Sequence, residues 1–210
     1  MMKNMRSSNA WMKGHVNDFY VKKAKKEGYR SRAAYKLIEL SERNDLLKSG
    51  MMVVDLGAAP GGWSQVAANK VGRNGSVLSL DVLEMAPIPG VTFIQGNFEE
   101  ESVLAELQES LGKRQVDLVI SDMAPNITGI AIRDQARSMY LAELALEFSM
   151  AQLNSDGNFL VKVFQGSGFE EFMKVMRMSF KMIVTRKPKA SRDRSNEIYI
   201  LGLKKYRKIP

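Results

Sequence analysis

The stretch "VVDLGAAPGGWSQVAA", residues 53–68, constrains this chain more than any other. An apolar run, a turn dense in Gly and Pro, and an amphipathic run follow one another without a spacer, which spells strand, tight turn, helix. Such a turn presents main-chain N–H groups above the strand end, where a ligand can meet them. The rest of the chain repeats the pattern. "MMVVDL" (51–56), "SVLSLD" (76–81), "VTFIQ" (91–95), "VDLVISD" (116–122) and "NFLVKVF" (158–164) read as buried parallel strands. Helical patterns fall at 62–70, 100–111, 134–153 and 168–177, with one more at about 31–42 before the first strand. "FKMIVTR" (180–186) and "NEIYILGL" (196–203) are two further strands with no helix between them. This order predicts an α/β, doubly wound, seven-stranded and mostly parallel sheet, its terminal hairpin supplying one antiparallel strand. At 210 residues the chain suits a single domain over 1–210. Residues 1–50 would form a basic extension with a helix, and 51–210 a ligand-binding core.

In such sheets the ligand lies beyond the carboxyl ends of the strands. Asp55, Asp81, Asp122 and Lys162 stand at or just inside four of those ends. One Asp there is often a mere helix cap; four ionisable groups at four ends point to a site. A triphosphate loop needs Lys and Ser or Thr after its glycines, whereas Gly61-Gly62 leads into Trp63-Ser64. The dinucleotide pattern is incomplete, and Pro60 removes an N–H that a pyrophosphate would use; NAD stays open as an alternative. A cofactor with a nucleoside and no phosphate fits better. Gly57 would let the backbone approach an amino-acid moiety, Asp81 would accept the ribose hydroxyls, and Gly96-Asn97 would read an adenine edge. S-adenosyl-L-methionine has these parts. Lys162, inside the apolar "FLVKVF", is either functional or paired, because an unpaired ammonium costs several kcal/mol there.

Charge separates sharply along the chain. Residues 1–50 carry 12 Lys/Arg against 5 Asp/Glu, residues 51–173 carry 7 against 16, and residues 174–210 carry 12 against 2. Two basic ends around an acidic middle form the electrostatic footprint for a polyanion, RNA or DNA before acidic lipid. With no Cys and one His, at position 15, the composition excludes disulfides, a thiol nucleophile and thiolate or multi-histidine metal sites. No metal is expected. Neither a signal peptide nor a membrane span is legible, which predicts a cytoplasmic protein with no membrane partner.

"DLGAAPGGWSQ", "SDMAPNITG", "LVKVFQG" and "KPKASRDRSNEIYIL", in this order, resemble the FtsJ/RrmJ family of ribosomal RNA 2′-O-ribose methyltransferases. The similarity runs from "SRAAYKLIEL" to the C-terminal strand. It implies a Rossmann-like methyltransferase fold, S-adenosyl-L-methionine as cofactor, and a uridine ribose of 23S rRNA in the large subunit as target, methylated by a monomer. It places a catalytic tetrad on Lys36, Asp122, Lys162 and Glu197, and cofactor contacts on Gly57, Gly61, Trp63, Asp81, Asn97 and Asp122. Position 97 departs from the pattern, where relatives carry Asp; an amide can still read adenine. Within that tetrad Lys162 would take the proton of the ribose hydroxyl, Asp122 would hold Lys162, and Glu197 would orient Lys36 or the ribose. The basic stretches 22–32 and 185–194 would hold phosphates at the site's mouth, with Tyr20, Tyr29 and Tyr35 stacking on bases. Two other readings compete: an RNA-binding ribosome-assembly factor without the chemistry, and a methyltransferase of small molecules or proteins.

Overall fold

Strand residues alternate between two packed faces, and that alternation sets every helix in its place. The computed structural model describes residues 18–192 and 195–207. Two helices open them, α1 (Phe19–Glu27) and α2 (Ala34–Asn44). Strand and helix then alternate through β1 (Met52–Leu56), α3 (Gly62–Val71), β2 (Ser76–Asp81), β3 (Val91–Gln95), α4 (Glu101–Leu111), β4 (Val116–Ser121), α5 (Ala131–Gln152), β5 (Leu153–Phe164) and α6 (Phe169–Ser179). Strands β6 (Phe180–Arg186) and β7 (Glu197–Lys205) complete the sheet, whose order is β3-β2-β1-β4-β5-β7-β6. β1 to β5 pair in parallel, and β7 slots antiparallel between β5 and β6. The sheet is the one the sequence predicts: seven strands, one of them antiparallel.

Met52, Val54 and Leu56 of β1 face the layer built by α4, α5 and α6, together with Phe159, Val161 and Ile200 of β5 and β7. Val53, Leu160, Tyr199 and Leu201 face the opposite layer, built by α2 and α3. Lys162 and Tyr199 are cross-strand partners, so an apolar strand carries its lysine toward α2. Both layers are continuous apolar cores, which is why the strands of a parallel sheet read as unbroken hydrophobic runs.

Three boundaries differ from the expected ones. α1 was not legible: its only buried side chain is Ala24, so apolar periodicity is nearly absent. It is held instead by the Asp18 carboxylate, which accepts the N–H groups of Tyr20 and Val21, and by Gly28 in the left-handed conformation. α5 starts at Ala131 and ends at Gln152. β5 starts at Leu153, not 158, because Leu153 pairs with Val116 before an irregularity that absorbs the turn-like Asn-Ser-Asp-Gly. No helix among the described residues is long and apolar enough to cross a membrane.

Candidate active site

The turn between β1 and α3 tolerates only glycine at its first position. Gly57 has φ +77, and a Cβ there would stand 2.7 to 2.9 Å from the side chain and backbone of Met123. The close approach brings the β1 and β4 ends together as one wall of a cavity of about 990 Å³. Asp81, at the end of β2, braces that wall: its Oδ2 accepts the Ala59 N–H and its Oδ1 the Leu83 N–H, both at 2.8 Å. Asn97 accepts the Glu99 N–H through Oδ1, which leaves its amide nitrogen to offer to the cavity. Gly57, Asp81, Asn97 and Asp122 all line the space.

Gly61 and the Trp63 ring do not line it. Trp63 is buried, donates Nε1–H to the Ala33 carbonyl, and packs on Tyr199 with ring centroids 5.8 Å apart. Gly61, at φ +106, is the cap residue of α3 and lies under Met85, Ile88 and Arg30. Trp63 keeps only main-chain groups to meet a ligand, whereas the Gly61 N–H already donates to the Ala58 carbonyl at 2.7 Å and its carbonyl accepts the Gln65 N–H. Asp55 is also no part of the wall. It is fully buried, takes the Ser64 hydroxyl at 2.7 Å, and leaves Oδ1 without a partner. Burial pushes its carboxyl up to about 7, against the Ser64 hydrogen bond and with help from the charges of Asp122 and Asp81.

Behind Asp122 lies a second group of polar side chains, on the α2 face of the sheet. Lys162 donates to Asp122 Oδ1 at 2.9 Å and to the Asp122 carbonyl at 2.6 Å. Lys36, projecting from α2, meets Glu197 Oε1 at 2.6 Å and the Tyr199 hydroxyl at 2.9 Å. That hydroxyl reaches Asp122 Oδ1 at 2.9 Å. The four expected residues are therefore in one connected cluster, and the sequence reading missed its fifth member. Tyr199 reads as an ordinary core aromatic of a strand. The available signal was its period-two spacing from Glu197, which puts both on one face.

Burial alone would raise the Asp122 carboxyl, but the ammonium groups of Lys162 and Lys36 and the hydrogen bonds from Lys162 and Tyr199 outweigh it and hold the group below the usual carboxylate range. Burial, then the charges of Asp122 and Glu197, push the Tyr199 phenol well above its ordinary value. It stays protonated.

The basic segments meet beside this cluster. Arg32 bonds both the Asp18 carboxylate and the Ala190 carbonyl, and Glu39 accepts the Lys189 N–H at 2.8 Å. Arg194, in the second basic segment, and residues 1–17 with His15 lie outside the described residues. Of the tyrosines expected to stack on bases, Tyr35 is buried instead, with Tyr20 and Tyr29 half-buried against it. Its ring lies 5.5 Å from Tyr20 and 5.6 Å from Tyr29, its hydroxyl on Glu27. They form a small core joining α1 to Ala190.

A doubly wound sheet with a cavity at its switch point, and a lysine–carboxylate cluster directly behind one cavity residue, is the arrangement of a group-transfer enzyme. A model of the FtsJ-like methyltransferase family matches residues 29–205, and the chain belongs to that family. Among curated relatives, the ribosomal RNA large subunit methyltransferase E of Nitrosospira multiformis is 69% identical over 97% of this chain and 99% of its own. That of Methylobacillus flagellatus is 60% identical over the same shares. The crystal structure of a ribosomal RNA methyltransferase from Plasmodium falciparum superposes with TM-score 0.74 at 32% identity, covering 84% of this chain and 98% of that one.

Proposed function

We propose that this methyltransferase transfers the methyl group of S-adenosyl-L-methionine to a ribose 2′-hydroxyl, in a uridine of 23S rRNA within the large ribosomal subunit. The relatives' names support the ribosomal RNA substrate. One observation carries the chemistry: Asp122 is shared by the cofactor-sized cavity and by the lysine cluster. Reactants brought from the two sides would meet at that residue.

The cavity suits the cofactor. Asp81 still has lone pairs for two ribose hydroxyls, Asn97 offers an amide donor at the adenine edge, and the Gly57 backbone leaves space where a side chain cannot stand. Trp63 would contribute through its main-chain N–H at the start of α3, where no side chain caps the helix, and Gly61 by shaping the turn. When bound, the sulfonium supplies an electrophilic methyl group with a neutral thioether as leaving group.

The cluster does the rest. A neutral lysine has two N–H donors and one lone pair. Lys162 finds two acceptors in Asp122, the Oδ1 and the carbonyl oxygen, so in the neutral state its lone pair points away from them, free for the 2′-hydroxyl proton. Lys36 likewise has two acceptors, Glu197 and Tyr199, and its third hydrogen can hold the ribose oxygen in line. The proton passes from the 2′-oxygen to Nζ of Lys162 as the oxygen attacks. The joined basic segments would hold flanking phosphates. We further propose a cytoplasmic monomer of a single domain, the single-domain reading being supported by the shared sheet and by the bond from Arg32, in the loop after α1, to the Ala190 carbonyl.

Single-turnover methyl transfer to ribosomal particles at saturating cofactor tests this. Lys162→Ala should cost about 10²–10⁴-fold in rate with cofactor affinity unchanged, and Lys162→Arg should fare no better because guanidinium does not give up its proton. A Lys162→Ala enzyme that keeps more than about a tenth of the rate, or a methyl group mapped to a base, overturns the reading.

A further inference from the structure

The geometry assigns a role to Tyr199: we infer that its hydroxyl is the positioning group that ties Lys36 to Asp122 and loosens the hold of Asp122 on the Lys162 proton. The inference rests on the ribose-methylation reading above. An ammonium only donates, so the phenol oxygen must accept from Lys36, and its single proton then goes to Asp122 Oδ1. The direction of both bonds is fixed. Asp122 Oδ1 consequently serves two donors, Lys162 Nζ and the phenol, each at 2.9 Å. A carboxylate oxygen that already takes a phenol proton attracts a second donor less strongly.

The ring itself is immobilised. Tyr199 has no exposed surface, packs on Trp63, and is the cross-strand partner of Lys162 on one side and Arg186 on the other. The charged or titratable groups around Lys162 are Asp122 beyond β4, Tyr199 and Glu197 on β7, Lys36 on α2, Asp55 on β1 and Arg186 on β6. Among these, Tyr199 is the group bonded both to Asp122 and to Lys36. Removing its hydroxyl should let Asp122 Oδ1 grip the Lys162 proton harder. It should also leave Lys36 one acceptor short.

The test is Tyr199→Phe, which keeps the ring and deletes one oxygen. Cofactor affinity and the KM for ribosomal particles should stay at wild-type values. The single-turnover rate near neutral pH should fall about tenfold, the scale of one lost hydrogen bond to a charged group. The acidic limb of the pH–rate profile should move to higher pH, so that the deficit shrinks in alkaline buffer. A merely structural tyrosine would lower the rate equally at every pH, and that result overturns the inference. A second readout does not depend on activity. In a denaturant-unfolding cycle of Tyr199→Phe with Lys36→Met, the combined loss should fall short of the two single losses added together; strict additivity also overturns it. If the wild-type enzyme places no methyl group on a ribose, the functional reading fails, and the unfolding cycle still judges the tie between Tyr199 and Lys36.

Discussion

Asp55 shows how little a residue's position in a motif says about its work. It stands at a strand end beside the glycine turn, as Asp81 does at its own, yet it faces α3 and keeps one oxygen unpartnered. Its carboxyl sits at about 7 against an ordinary value of 3.8. Because the folded value is the raised one, the stability contribution of Asp55 is complete below about pH 4 and is lost as pH rises toward 7. Three units amount to about 4 kcal/mol. Asp55→Asn should therefore gain on the wild type steadily between pH 4 and 7, then hold a constant lead. Urea unfolding at a series of pH values measures that gap, and a gap independent of pH would refute the assignment. The residues legible from sequence were those whose chemistry clashes with their surroundings: Lys162 in an apolar strand, and acids at strand ends. Tyr199 was not legible, because nothing about a tyrosine in a strand is anomalous and its two polar partners are 163 and 77 positions away in the chain.

At the scale of elements, the sheet was readable because its strands are buried on both faces and its helices carry an apolar stripe. α1 has no such stripe. Its proposed work is electrostatic, and its lysines have different surroundings. Lys23 lies 4.6 Å from the centre of the Tyr35 ring and 3.9 Å from Glu27, whereas Lys22, Lys25 and Lys26 are exposed. Changing those three to Gln should flatten the log–log dependence of RNA affinity on salt by about 2–3, one counterion per lost phosphate contact. Lys23→Gln alone should change it less. Fluorescence anisotropy with an rRNA fragment across a salt series decides this, and an unchanged slope would mean that α1 does not touch the RNA. Cofactor affinity should not respond, since none of the three lines the cavity.

Across the whole molecule, the fold sorts the two basic segments 22–32 and 185–194 to one place, beside the lysine–carboxylate cluster. The charge profile announced the sorting, but the tethers that achieve it, Arg32 to Asp18 and to Ala190, depend on contacts between residues up to 158 positions apart. The strand order has a consequence in time. β7 is the last strand of the sheet in chain order, yet it lies between β5 and β6 and supplies both Glu197 and Tyr199. Until β7 inserts, β5 and β6 have their facing edges unfilled. Such distant pairing is slow to form. Trp63 reports its arrival, because that indole rests on Tyr199. In a Trp11→Phe background, Trp63 fluorescence should reach its native value in the slowest refolding phase, after most helical ellipticity has returned; simultaneous recovery would count against late insertion. A copy in which β7 has not yet inserted thus lacks two of the five polar groups of the proposed reaction centre, so its activity should appear only with that last step.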